Sequence, residues 1–158
     1  MNYCAKGTPF EDTIQLISGS SFPDIFADGM YGVEVKSTIK NHWTTTGSSV
    51  MESSRLEKAE RIYLTFGKLG GDTVEFLSRP YEDCMSEISV THSPRYKIDM
   101  RLKDGESVFH KMNVSYDDMR DASNQTDLIR NYLKSKCKPG ERPWYISEED
   151  STPAIIKL

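Results

Sequence analysis

The sequence predicts an α/β (α+β) domain: a central mixed β-sheet flanked by helices. Three observations carry this. Short apolar runs, several with period-two alternation, recur at 22–27, 30–38, 61–66, 73–78 and 95–103. Stretches with apolar residues at helical spacing stand before, between and after them. The 158 residues, 37% hydrophobic and 28% charged, are enough to close one core, and no internal repeat or long linker divides them. One domain over 1–158 is expected.

The elements follow in order. Thr8-Pro9-Phe10-Glu11 reads as a helix start, with Thr8 as cap, proline at the first position and Glu11 completing a capping box. Phe10, Ile14 and Ile17 recur at helical spacing and Gly19 follows, so a helix is expected over 9–18. Residues 22–27 and 30–38 are two strands around Ala27-Asp28-Gly29. NHWTTTGSS (41–49) is polar and loop-like. Val50, Leu56 and Ala59 suggest a helix over 49–60, with Glu52, Arg55 and Lys58 on its solvated face. RIYLTF (61–66) and TVEFLS (73–78) form a second hairpin around Gly70-Gly71-Asp72. Residues 79–87 read as loop or short helix. In RYKIDMRLK (95–103), Tyr96, Ile98, Met100 and Leu102 face one way and Arg95, Lys97, Asp99, Arg101 and Lys103 the other. A strand around 106–113 pairs with it across Asp104-Gly105. Ser123 or Asn124 to Lys136 is a helix with Leu128, Ile129, Tyr132 and Leu133 inward, KPGERP (138–143) is a loop, and the C-terminal tail is extended.

Composition narrows the function classes. No apolar run approaches the roughly 18 residues of a membrane span. MNYCAKGTPFED has no apolar signal-peptide region, so a cytoplasmic protein without a membrane partner is expected. Cys4, Cys84 and Cys137 are odd in number and widely spaced, which suits free thiols and not a zinc site. A net charge of −4 argues against non-specific coating of nucleic acid, but not against nucleic acid as a substrate met by a local basic rim.

The stretch FPDIFADGMYGVEVKST (22–38) puts Asp24, Glu34 and Lys36 into an apolar hairpin. Glu34 and Lys36 share a strand face by alternation. A two-residue turn would send Asp24 to the other face. A three-residue turn, Ala27-Asp28-Gly29, pairs Phe26 with Met30, sets Asp24 opposite Gly32 and makes Glu34 its diagonal neighbour at ~7–8 Å. This register puts Ile25, Tyr31, Val33 and Val35 together as the core face, and burial decides register. Gly32 then leaves room between the acids for an ion. Two carboxylates this close repel unless one is protonated or a cation sits between them. Oxygen ligands without His or Cys suit Mg²⁺, or Mn²⁺. Lys36 on the same face can orient a nucleophilic water or neutralise charge on a phosphoryl oxygen. The alternative is a solvated face with a Glu–Lys pair, but Phe22 and Phe26 share that face.

Pro23-Asp24, nine residues, then Glu34-Val35-Lys36 resembles the signature of the PD-(D/E)xK nuclease superfamily, which includes type II restriction endonucleases, Holliday-junction resolvases and repair nucleases. The resemblance covers about residues 8–78 and leaves 79–158 for specificity or dimer contacts. It implies a restriction-endonuclease-like core, metal binding by Asp24 and Glu34 with a backbone carbonyl near Val35, and a catalytic Lys36. It also offers Glu11 as a first-helix glutamate near the metal, for which helix capping is an equal explanation. The expected function is a Mg²⁺-dependent endodeoxyribonuclease, most similar to a type II restriction endonuclease, acting as a homodimer because two strands need two sites. The alternatives are a Holliday-junction or repair nuclease of the same superfamily, or a non-catalytic nuclease-like binding module. Lys40 and His42, in the loop leaving the motif, and Arg95, Lys97 and Arg101, on one strand face, are the candidate DNA contacts, a solvated surface being the other reading of each.

Overall fold

Two left-handed residues turn the hairpin on which the fold is built, Asp28 at φ 51° and Gly29 at φ 69°. The structure is a computed structural model that describes residues 2–141, 143, 145 and 146. Its strands are β1 Gln15–Leu16, β2 Ile25–Ala27, β3 Tyr31–Thr38, β4 Thr44–Ser49, β5 Arg61–Lys68, β6 Glu75–Pro80, β7 Met85–Val90 and β8 Pro94–Asp99. Its helices are α1 Asn2–Ala5, α2 Val108–Met112, α3 Tyr116–Asp121 and α4 Gln125–Ser135. A five-stranded sheet runs β1-β2-β3-β5-β6 and a three-stranded sheet β4-β8-β7. The first is mixed: β3 and β5 are parallel, and its other pairs are antiparallel. The class is therefore α+β with a mixed sheet. Among the described residues no helix is long and apolar enough to cross a membrane.

One core joins the two sheets. Phe26, Ile62, Leu64 and Phe66 from the first meet Ile88, Tyr96 and Ile98 from the second, with Phe22, Tyr81 and Met100 from flanking segments and Met119, Ile129 and Leu133 of α3 and α4 closing it. Each such side chain contributes about 1.5–3 kcal/mol by leaving water. Tyr96, Ile98 and Met100 point inward and Arg95 and Lys97 outward, as the alternation predicts. The hairpin β5–β6 and helix α4 also lie where expected.

Several expectations fail for identifiable reasons. Residues 9–18 are not a helix. They form turns, with Asp12 left-handed at φ 61°, and then β1. Residues 49–60 are not a helix either: Ser49 ends β4, turns follow with Glu52 left-handed at φ 44°, and the segment bridges Phe22 through Arg55. The expected loop 41–49 contains β4, because its hydroxyl-rich residues pair with β8. Within 79–87 the expected short helix is present as a 3-10 turn, Glu82–Cys84, but β6 runs into the segment to Pro80 and β7 begins at Met85. Residues 108–112 are α2 and not a strand, because Ser107 caps them by accepting from the His110 N–H and Asn113 ends them in a left-handed conformation. The expected extended tail lies outside the described residues.

The face assignment of β3 is inverted. Gly32 and Glu34 are buried, while Tyr31 and Val33 are half-exposed and Val35 exposed. Gly32 explains this. A Cβ there would stand 2.4 Å from Pro23 and 2.6 Å from Ile62, so this face closes against β2 and β5 because the side chain is missing. The space above Gly32 is filled by Pro23 and is not free for an ion. The other face is partly covered by the N-terminal segment, with the Phe10 ring 6.0 Å from Tyr31.

Candidate active site

The hairpin register differs from the expected one by a pair, and the difference brings the acids closer. Ala27 pairs with Tyr31, Phe26 with Gly32 and Ile25 with Val33. The turn is therefore Asp28-Gly29-Met30, and continuing the ladder sets Asp24 directly opposite Glu34 instead of diagonal to it. Asp24 is pinned on both sides of its backbone. Pro23 is wedged on Gly32, and the Asp24 carbonyl accepts from the Ile17 N–H at 2.9 Å.

Its carboxylate then reaches across the hairpin. Asp24 Oδ2 accepts from the Val35 N–H at 2.7 Å. A strand residue turns its N–H and C=O toward the same neighbour, so the Val35 carbonyl lies on the Asp24 side of β3. Glu34 is 5% exposed, and its Oε1 accepts from Lys36 Nζ at 2.5 Å. Burial pushes the Glu34 carboxyl above the ordinary glutamate value of 4.5. The Lys36 ammonium pulls it down, and the negative charge of Asp24 adds to the rise. The site thus holds two carboxylates and a strand carbonyl against one ammonium. That excess of hard oxygen in a poorly solvated place is a donor set suited to a divalent cation such as Mg²⁺ or Mn²⁺. Among the described residues no group of three or more His, Cys, Asp and Glu side chains is placed to share an ion. A cation here would take two side chains, the Val35 carbonyl and water or substrate oxygens.

Glu11 is not brought to this site. It is exposed, and its Oε2 accepts from the Gly7 N–H at 2.8 Å. The adjacent Phe10 packs on Tyr31, whose side chain is on the face of β3 opposite to Glu34. The capping reading fails as well: Glu11 accepts from the Gly7 N–H and not from that of Thr8, and it closes a turn where no helix follows.

The proposed DNA contacts are partly gathered. Lys40, His42 and Lys97, more than 50 positions apart at the extremes, line one cleft of about 440 Å³ between the end of β3 and the outer face of β4–β8. Ser37 and Thr38 open it immediately after Lys36. Arg95 lies on the same outer face, with its guanidinium 3.4 Å from the Gly47 carbonyl. Arg101 lies over the Trp43 ring at 5.7 Å, a ring that Lys68 Nζ also meets at 5.2 Å. Lys68 was not anticipated. It stands beside Thr38 in the parallel ladder, and a lone lysine ending a buried strand carries no signal of its own. Ser86, also in the cleft, had none either.

A second buried acid lies elsewhere. Glu52 accepts from Arg55 Nη1 at 2.8 Å and from the Tyr116 hydroxyl at 2.7 Å and 3.0 Å. Arg55 also donates to the Ala59 carbonyl at 2.6 Å. The expectation of a solvated face at Glu52 and Arg55 is corrected: both are in the interior, and only Lys58 is exposed. Comparison of the chain with protein-family models, with curated proteins and with solved structures returned no match.

Proposed function

We propose that the chain is a metal-dependent endodeoxyribonuclease that hydrolyses DNA phosphodiester bonds, with a restriction-endonuclease-like core of the PD-(D/E)xK type. The observation that carries this reading is the convergence of Asp24, Glu34 and Lys36 at one end of the β2–β3 hairpin, with Glu34 buried and the acids opposite each other. Asp24, Glu34 and the Val35 carbonyl would hold the cation. Mg²⁺ or Mn²⁺ bound there supplies a Lewis acid at the phosphoryl oxygen and a source of nucleophilic water.

The chain's own groups do the rest. The Val35 N–H holds one Asp24 oxygen at 2.7 Å, and the Asp24 carboxylate also interacts with Glu34. Glu34 anchors the Lys36 amine at 2.5 Å, and the Lys36 side chain stays 30% exposed, so its Nζ can face substrate. From there it stabilises the negative charge developing on a non-bridging phosphoryl oxygen, or moves a proton at Nζ. Lys40, His42, Arg95, Lys97 and Arg101 would receive the DNA backbone. A homodimer is needed to cut both strands.

The test is supercoiled-plasmid cleavage with Mg²⁺, with Mn²⁺ or with EDTA, comparing wild type with Lys36→Ala. The reading expects metal-dependent nicking or linearisation, and a rate loss of about 10²–10⁴-fold in the variant. Cleavage that persists in EDTA, or at an equal rate in Lys36→Ala, removes the assignment. Discrete fragments from linear duplex identify a sequence-specific enzyme. Cutting confined to branched or damaged DNA identifies a resolvase or repair enzyme.

A further inference from the structure

The cleft beyond Lys36 has a composition that the carboxylate site does not require. Thr38 stands two residues past Lys36 on the same face of β3, about 7 Å along the strand. Its Oγ1 accepts from the Lys40 N–H at 3.1 Å, which fixes the start of the loop that carries Lys40 into the cleft. Across the opening, Thr46 pairs with Lys97 and Thr44 with Asp99 in the β4–β8 ladder. Thr44, Thr46 and Lys97 are exposed, so these side chains project from the outer face into the opening.

Two of the cations there form no salt bridge among the described residues, although Asp99 lines the cleft and Glu87 stands opposite Lys97 in the β7–β8 ladder. Lys40 and Lys97 have no ion-pair partner among the described residues, whereas Lys36, Lys68 and Lys111 each have one. The lining contains one acid, Asp99, and its Oδ1 is taken by the Arg101 N–H at 2.9 Å. His42 Nδ1 accepts from the Thr44 N–H at 3.4 Å, so in the neutral ring Nε2 carries the proton and is a further donor. Two ammonium groups, an imidazole N–H and threonine hydroxyls in one small cleft form a donor set for a tetrahedral oxyanion. Asp99 and Ile98 also line the cleft, but the donors outnumber them.

We infer that this cleft is a subsite for one backbone phosphate, the one flanking the scissile bond, and that a substrate must extend past the cut on that side. The inference rests on the nuclease reading for the identity of its substrate. It adds that the enzyme handles a linkage lacking that flanking phosphate poorly. Lys40 and Lys97 supply the charge, and Thr44 and Thr46 supply orientation.

The experiment has two arms that separate the inference from the reading beneath it. In the first, the full chain cleaves a duplex whose cut position has been mapped, with a single uncharged methylphosphonate placed one linkage to either side. At one of the two positions KM should rise roughly tenfold or more, the size of one lost charge-assisted interaction. A Lys40→Gln/Lys97→Gln variant should start with the raised KM and lose little more from that methylphosphonate. Equal cleavage with either modified duplex, or an undiminished methylphosphonate effect in the variant, overturns the subsite while leaving the nuclease standing. In the second arm, inorganic phosphate is titrated into metal-free protein and the backbone amides of Thr38, Thr44 and Thr46 are followed by NMR. Saturable shifts that vanish in the double variant support the subsite even if no DNA is ever cut, in which case the nuclease reading is what falls. No saturable shift in the millimolar range overturns the subsite.

Discussion

Glu34 and Glu52 have much in common. Each is a glutamate almost out of water, each is bonded to a basic side chain, and burial pushes each carboxyl above the ordinary range. Their surroundings differ. Among the described residues Glu52 is the one acid bonded in its cluster, and both of its oxygens are taken, by Arg55 and by Tyr116. The Arg55 guanidinium also faces the Phe22 ring at 5.9 Å and the Tyr116 ring at 5.6 Å. Burial and the Glu52 charge hold the Tyr116 hydroxyl well above the usual tyrosine range, so it stays a donor. Glu34 has one ammonium on one oxygen, a second acid opposite, and an outlet to solvent along Lys36. A buried charge that is fully answered from within serves structure. One that is answered in part, beside a like charge and at an opening, is arranged for something from outside.

The largest expected effect breaks the closed cluster. Arg55→Ala leaves Glu52 and its hydroxyl partner buried without a cation and frees the Ala59 carbonyl. Loss of one member of a buried pair costs about 3–5 kcal/mol. Urea midpoints should fall accordingly, and activity per folded molecule should change far less than stability. A loss below about 1 kcal/mol would mean the cluster is solvated and the contrast with Glu34 is empty.

A smaller effect reads the open site through pH. A carboxyl whose folded value is raised binds its proton more tightly in the folded state. Its contribution is therefore most favourable below the unfolded value near 4.5 and declines as pH rises through the raised folded value. Metal-free wild type should lose stability over that interval more steeply than Glu34→Gln, whose neutral amide has no charge to desolvate. Thermal melts across pH 4 to 8, an interval set around the ordinary carboxylate values, check this. Parallel slopes for the two proteins would show that Glu34 is not held in the environment described.

How much of this was legible in the sequence depends on where the deciding information lay. The Asp28–Gly29 turn, the 61–78 hairpin, the alternation at Tyr96, Ile98 and Met100, and helix α4 are written in local residue order. So was the sharing of one strand face by Asp24, Glu34 and Lys36, because any odd-length turn preserves it. The choice of buried face on β3 was not legible. Val33 and Val35 look like core residues until Gly32 is seen to admit Pro23 and Ile62. The helices expected at 9–18 and 49–60 had adequate spacing, but left-handed Asp12 and Glu52 and the bridge from Arg55 to Phe22 are tertiary outcomes that override it. Glu11 was carried toward the site by an expected helix, and it leaves with that helix. The meeting of Lys40 and His42 with Lys97 needed the β4–β8 pairing, which nothing in NHWTTTGSS announces.

The central claim is that the open pair binds a cation and the closed cluster does not. Mn²⁺ binding to the full chain, followed by electron paramagnetic resonance, tests it most directly in wild type, Glu34→Gln and a folded Glu52→Gln protein. The account predicts one ion per chain in wild type, its loss in Glu34→Gln and its retention in Glu52→Gln. Undiminished binding in Glu34→Gln, or loss in Glu52→Gln alone, would contradict it.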